Sequence, residues 1–501
     1  MDTATLAGLA NVVRIGLAVT SSSPQELATA TFDNVQVIQA TTAPAGSITE
    51  SNVLGDGYGG GSDGPIVADA DFDGDGVNDL VEHALGTLAD SFDGGWWLTT
   101  TAEGRVDAHL TRPRAITGMD FRLESSTDLR TWTPLVLAPT ASDAGGGLEK
   151  LSWSGITSLG GQSVQRGIVR LRVTHSASGT SVATTPQAWQ RHAFNNNGTA
   201  TQTQTVGVSV VNAPLYAGRV AQVTGADEIA LENMGGIQIV PSTACYLEVL
   251  DGAQAGHRVE VFSLGAGLAV LGLDSPLSTL KALSPELTGA RVVVRPHVTL
   301  AQVFPVTVFQ AGAVAEAADQ VLFHENGVWH THWLTARAGS RMWISANDTA
   351  RPEVSQNGRI IPPGTGVMVK TPGNNTRAVT LTGHVRTTPW RMALAAGTNL
   401  LALPWPVDST PKGLGMSLED GFAASGNQTL ADQIQLWQAD STPGRTTYDA
   451  YFLLKRGADG LWISRATVST VDVGHTLPIP AHRAFFLKAQ PATAAKGWLL
   501  P

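Results

Sequence analysis

Apolar and polar residues alternate in short runs along most of this chain, the period of a strand with one face buried. The clearest runs are Phe121-Arg-Leu-Glu-Ser-Ser, Gly167-Ile-Val-Arg-Leu-Arg-Val-Thr174, Ala244-Cys-Tyr-Leu-Glu-Val-Leu250, His257-Arg-Val-Glu-Val-Phe262 and Arg291-Val-Val-Val-Arg295. Val12–Thr20 and Leu27–Val37 read as two further antiparallel strands. Helical spacing is rare. Asp79-Leu-Val-Glu-His-Ala-Leu-Gly86 reads as a short helix closed by glycine, and Thr279–Leu283 as a helical turn. Asn326-Gly327 between two alternating runs predicts a two-residue type I′ hairpin. Its register sets His324 opposite Trp329 on one face and puts His330 and His332 together on the other.

An internal repeat emerges past residue 300. Ala318-Asp-Gln-Val-Leu-Phe matches Ala431-Asp-Gln-Ile-Gln-Leu, and Arg341-Met-Trp343-Ile-Ser345 matches Gly460-Leu-Trp462-Ile-Ser464. Ile361-Pro-Pro-Gly-Thr-Gly-Val-Met-Val-Lys370 likewise matches Ile479-Pro-Ala-His-Arg-Ala-Phe-Phe-Leu-Lys488. The shared positions are mainly apolar, aromatic and turn-forming. Such residues build cores, and no shared polar pair suited to catalysis stands out.

With 501 residues the chain exceeds a single core, and 54 Gly, 26 Pro and only 15% charged residues favour sheets over helical bundles. The expected fold class is all-β: tandem β-sandwich or barrel modules joined by linkers, one lone calcium loop with a short helix, and an internal repeat in the C-terminal part. The expected divisions are an incomplete strand pair (1–40), a Gly-rich linker (41–65), the calcium loop and helix (66–90) and a small β-sandwich (91–190). A polar linker (191–205), a β-module (206–300) and two repeat copies (301–385 and 386–501) follow. The net charge of −10 argues against a nucleic-acid partner. Cys245 is the one cysteine, so there is no internal disulfide framework, and its alternating surroundings suit a buried thiol. No run of 18 apolar residues suggests a transmembrane segment. The N-terminus lacks the basic region of a signal peptide. Met1 is nevertheless not expected to begin the native polypeptide, and the chain reads as part of a longer secreted or cell-surface one.

The richest motif is Asp71-Phe-Asp73-Gly-Asp75-Gly76-Val77-Asn78-Asp79-Leu-Val-Glu82. Carboxylates at loop positions one, three, five, nine and twelve with glycine at six are what Ca²⁺, a hard oxygen-seeking ion, requires. Asp71, Asp73, Asp75, Asp79 and Glu82 would ligate through side chains, Asp79 directly or through water, and Val77 through its carbonyl. Gly64-Pro65 upstream discourages an entering helix. The alternative is a solvated acidic loop, in which five acids would repel one another.

A lone loop with one exiting helix resembles the calcium repeats of dockerins and thrombospondin type 3 modules, a resemblance that implies a structural role. The strands in residues 1–40 resemble the last strands of concanavalin A-like (laminin G-like) jelly rolls. The order calcium loop, helix, Glu124-Ser-Ser-Thr-Asp-Leu-Arg-Thr-Trp-Thr-Pro134, Arg170-Leu-Arg-Val-Thr resembles a tail module of large secreted bacterial proteins. From about residue 206 onward, the Ala-Asp-Gln, Trp-Ile-Ser and Ile-Pro landmarks resemble an uncharacterised family of secreted bacterial multi-module β-proteins. That resemblance implies export and no particular activity.

Candidate chemistry beyond calcium is sparse. His330 and His332 could hold a transition metal with Glu325 as a third ligand, or simply decorate a half-exposed hairpin. The second repeat places Asp449 and Tyr451 where these histidines stand. Trp96, Trp97, Trp329, Trp333, Trp390 and Trp437 could stack on sugar rings or fill cores. No nucleophile elbow, zincin motif or phosphate-binding glycine loop is present. The expected function is that of a non-enzymatic, calcium-stabilised structural or adhesive protein that self-associates or binds a cell-surface polymer. The alternative is a carbohydrate-binding accessory region of a larger polysaccharide-acting protein.

Overall fold

The computed structural model describes residues 71, 77–87 and 95–500, apart from 157, 160–161, 164, 197–200, 225–227, 233–243, 266–267, 272–286, 338, 349–353, 374, 440–445, 458, 467–470 and 497. The strand pair read in residues 1–40, the Gly-rich linker at 41–65, Asp73, Asp75 and the turn at 279–283 lie outside these residues. Within them the chain is all-β and modular, with several sheets and three short α-helices. No described helix is long and apolar enough to cross a membrane.

The first module is a sandwich. One sheet has the order Trp96–Thr100, Val106–Pro113, Leu148–Trp153, Thr140–Gly145. The facing sheet runs Asn375–His384, Gln187–Asn196, Arg166–His175, Met119–Ser126, Thr133–Pro134. Between them lie Leu98, Val106, Leu110, Phe121, Leu123, Trp153, Leu171 and Trp189. Gly167 allows this packing, because a Cβ there would stand 2.0 Å from the Trp189 ring.

The second sheet is buried on both faces. Ile168, Ala188, Phe194 and Val379 face the other way, into a core built with Phe304, Phe309 and Trp343 of the first repeat. Trp132, a core-anchor candidate by sequence, is half-buried at this second core, with the Arg170 guanidinium 4.1 Å from its ring centroid. Strand Asn375–His384 pairs residue for residue with Gln187–Asn196, from Asn375 opposite Asn196 to His384 opposite Gln187. Residues 191–196, read from sequence as the start of a polar linker, thus continue a strand paired along its whole length.

The repeat is explicit in the topology. One five-stranded sheet has the order Gln202–Gly207, Gly366–Thr371, Gln320–Glu325, Val328–Arg337, Ser340–Ser345. The other has the order Gly397–Leu401, Phe485–Ala489, Gln433–Ala439, Thr446–Arg456, Asp459–Ser464. The two are equivalent strand for strand. They meet through Leu322, Met368, Leu400, Trp437, Ala484 and Phe486, as two packed sheets and not as one shared barrel. Between the first and second strands of copy one, in sheet order, the chain also makes a closed six-stranded barrel from Tyr216–Val223 to Arg291–Pro296. Cys245 is buried in that barrel's core, and burial pushes its thiol up to about 11.

Candidate functional site

The acidic motif ends in the helix Asp79–Leu85. Asn78 is extended, and its carbonyl accepts the amides of Val81 and Glu82 at 2.7 and 3.1 Å. At the other end Gly86 adopts φ 74°, with Gly86 N–H on the His83 carbonyl and Thr87 N–H on the Glu82 carbonyl. This is the Schellman closure that a glycine at that position favours. Leu80, Val81, Ala84 and Leu85 are buried in the sandwich core. At roughly 1.5–3 kcal/mol per buried large aliphatic side chain, the helix is firmly docked.

Asp79 and Glu82 fall three residues apart on the first turn, and the Glu82 side chain is 1% exposed. A carboxylate that deep requires charge compensation or several donors. Asp71 lies across from the barrel, its Oδ2 3.4 Å from Arg291 Nη2. Val77 packs beside the sandwich core. No cluster of three or more metal-ligating side chains occurs among the described residues, which exclude Asp73 and Asp75. The donors in view suit a hard cation: carboxylates, a backbone carbonyl position, and neither thiol nor imidazole among them.

The histidine hairpin forms with the expected geometry. Asn326 and Gly327 have φ of 50° and 80°, the double left-handed turn of type I′. Glu325 pairs with Val328, His324 with Trp329, Phe323 with His330 and Val321 with His332. Glu325, however, is held by Arg359 in an ion pair, and His330 Nε2 stands 4.0 Å from its other oxygen. His332 is buried, and burial, with Arg359 and His330 adding like charge, pushes its pKa down to about 4. A cation placed here would face the Arg359 guanidinium at close range. In copy two the equivalent pairs are Leu436 with Asp449 and Ile434 with Tyr451, as the sequence alignment indicates.

The repeated Ala-Asp-Gln turns out to be a loop staple. Asp319 Oδ2 accepts the amide of Gln310 at 2.5 Å, and Asp432 Oδ2 accepts the amide of Ala423 at 2.7 Å, each nine residues upstream. The next residue does the same job for a carbonyl five residues before it. Gln320 Nε2 donates to Ala315 at 2.8 Å and Gln433 Nε2 to Gln428 at 2.7 Å. Both aspartates are fully buried, and each has recruited its own further partner. Asp319 pairs with Arg377 Nε at 3.0 Å, whereas Asp432 accepts Thr493 Oγ1 and Gln490 N, both at 2.6 Å. Burial raises the pKa of both carboxyls, Asp319 to about 6. Sequence comparison shows the motif but not its role, because its partners are backbone groups that carry no residue signature.

No known protein family, curated sequence or solved structure matches this chain.

Of the six candidate tryptophans, Trp96, Trp333, Trp390 and Trp437 are buried. Trp97, at 38% exposure, contacts His109 at 5.8 Å between ring centroids and has Lys150 Nζ 5.5 Å from its ring centroid. Trp329 belongs to an aromatic ledge where the repeats meet. It sits 4.9 Å from His324 and 6.3 Å from Phe486, while Tyr448 sits 4.9 Å from Trp437 and 5.5 Å from the same Phe486. Trp329 and Tyr448 are 37% and 43% exposed.

Proposed function

We propose that this chain is a non-catalytic, calcium-stabilised structural or adhesive protein of the extracellular space or cell surface, and that copies of it associate. The observation carrying this reading is the use made of the repeated polar side chains. Asp319 and Asp432, with Gln320 and Gln433, are all engaged in fixing loop backbone. Residues employed this way stiffen a scaffold.

The interlocked sheets support the same conclusion, since a strand from beyond the first repeat sheet completes the sandwich. So does the docked helix, which couples the acidic loop directly to a module core. In this reading Asp71, Asp73, Asp75, Asp79 and Glu82 hold Ca²⁺ together with the Val77 carbonyl. The ion neutralises the acids and orders the segment leading into the sandwich.

Electron microscopy of the chain in millimolar Ca²⁺ and in chelator tests the proposal. Filaments, tubes or sheets that dissolve in chelator are expected. Single particles under both conditions, at high protein concentration, would remove the self-association.

A second reading, a carbohydrate-binding accessory region, is favoured by the ledge of Trp329 and Tyr448. Two half-exposed rings on a rigid sheet junction suit the apolar faces of sugar rings. A glycan array probed in calcium, with Trp329→Ala as the control, decides it.

A further inference from the structure

A cavity of about 440 Å³ lies where four parts of the chain meet: the calcium-loop helix, the first sandwich strand, the barrel, and the connection Val385–Thr388. Its two sides differ in chemistry. Val81, Leu85 and Trp96 make an apolar wall with Val293 of the barrel. Arg291, Arg295, Arg386 and His384 line the polar side with the carboxylates of Glu248 and Asp251, Arg291 being paired with Asp71, and Thr184 and Thr388 add hydroxyls.

The polar side carries more positive charge than its neighbours neutralise. Arg386 is buried against the face of Trp390, 3.5 Å from the ring centroid, and forms an ion pair with the buried Glu248. Thr388 Oγ1 donates to the same Glu248 oxygen at 3.3 Å. Arg258 lies over Trp390 and Tyr246, at 5.0 and 5.9 Å. Glu260, the other acid acting on Arg258, is half-exposed and bonded to His297 at 2.7 Å. Arg295 gives Nη1 to the Asn212 carbonyl at 2.9 Å and forms no ion pair among the described residues. Three guanidiniums therefore surround one buried carboxylate. Burial lowers the pKa of both Arg258 and Arg295, and the like charge of Arg386 adds to the effect. His384 is held neutral, pushed down to about 3 by burial and by Arg295.

A part-buried guanidinium without an ion-pair partner is costly. An anion at the cavity wall would remove that cost, and the opposite wall selects an anion with an apolar side. We infer that this cavity binds a small organic carboxylate, its anionic end on Arg295 within the field of Arg386 and its apolar or pyranose face against Val81, Leu85 and Trp96. The volume suits one ring-sized ligand. Two sources share this chemistry, a hydrophobic carboxylic acid and a uronic acid, and they are separable by probe.

The test is calorimetric titration of the full chain, in calcium, with benzoate and glucuronate, each beside its neutral counterpart, benzamide or glucose. One carboxylate is expected to bind, with its neutral counterpart weaker by about ten- to a hundred-fold, the value of one charge-assisted contact. Benzoate alone would mark a hydrophobic acid site, and glucuronate alone an acidic-sugar site. Arg295→Gln should cost a similar factor and Arg295→Lys less. Because Arg295 also supports Asn212, each variant is first checked for native circular dichroism, and the paired-probe comparison on the unmodified chain stands independently. Binding of neither acid, equal binding of the neutral counterparts, or undiminished binding by folded Arg295→Gln would each overturn the assignment.

Discussion

The Trp343 indole donates to the Phe304 carbonyl at 2.9 Å, and the Trp462 indole donates to the Met416 carbonyl at 2.7 Å. Both rings are fully buried. Both backbones are also held alike: Trp343 N–H reaches Asn357 Oδ1 at 3.0 Å, and Trp462 N–H reaches Asp472 Oδ1 at 3.1 Å. Each tryptophan thus bolts its third hairpin strand to a helical turn that enters the repeat. Substituting Phe keeps most of the volume, removes the donor and leaves a buried carbonyl unsatisfied. Trp343→Phe and Trp462→Phe should each cost about 1–3 kcal/mol, and by similar amounts. Urea unfolding of both variants checks this; a large cost in one copy and none in the other would contradict functional equivalence of the bolts.

The loop staple predicts a different pattern. Asp432→Ala removes the acceptor for Ala423 N, Gln490 N and Thr493 Oγ1 at once. The Gln490 amide loses its acceptor, at about 1–3 kcal/mol, while Ala423 N keeps Thr493 Oγ1 at 3.1 Å. Asp319→Ala loses one amide bond and also strands the buried Arg377 guanidinium, a penalty of about 3–5 kcal/mol for a broken buried pair. Restoring stability with Asp319→Ala plus Arg377→Met, but not with Arg377→Met alone, is the expected outcome in a double-mutant cycle.

Local features were legible in the sequence because their causes are local. Asn326-Gly327 requires two positive φ angles, so the hairpin and its register could be read directly, down to His324 opposite Trp329. Gly86 marked the helix end for the same reason. The aligned landmarks anticipated two copies, and the structure gives them the same strand order. What escaped was long-range pairing. His192 lies opposite Val379, and nothing in either strand's alternation names a partner so distant in sequence. Nor does periodicity distinguish a sheet buried on both faces from two ordinary half-buried strands, so Phe194 gave no hint of a second core. The arginine cavity was invisible because Arg295, Arg386 and Glu248 come from separate stretches that only folding brings together.

The proposed calcium loop should act on the sandwich, not merely on its own segment, because Leu80, Val81 and Leu85 are core residues. Extracellular sites of this type have Kd of about 10⁻⁴ to 10⁻³ M. Free Ca²⁺ at ten times Kd then adds about 1.4 kcal/mol to stability. Thermal unfolding in millimolar Ca²⁺ should occur at higher temperature than in chelator. Glu82→Gln, which keeps the shape and removes the charge, should abolish the difference between the two conditions. A calcium increment that survives in this variant would exclude Glu82 as a ligand.

Acid should destabilise the fold well above the carboxylate range. Burial holds His192 and His384 neutral down to about 3 and His332 down to about 4, with nearby His482, Arg295 and Arg359 respectively adding like charge. An unfolded histidine titrates near 6.5. Below that pH the unfolded chain binds protons that the native state refuses, so stability falls as pH drops from about 6.5 towards 4. Each such histidine steepens the dependence by up to about 1.4 kcal/mol per pH unit. Asp319 works in the opposite sense, since its raised value lets the native state bind a proton first between about 4 and 6. His332→Phe, at a site bordered by Phe323 with ring centroids 5.3 Å apart, removes one of these histidine contributions, to which buried His83, pushed down to about 4, also belongs. Urea unfolding from pH 7 to 4 should therefore show a shallower loss of stability in the variant. A slope unchanged from the native chain would mean that His332 accepts its proton in the folded state without penalty.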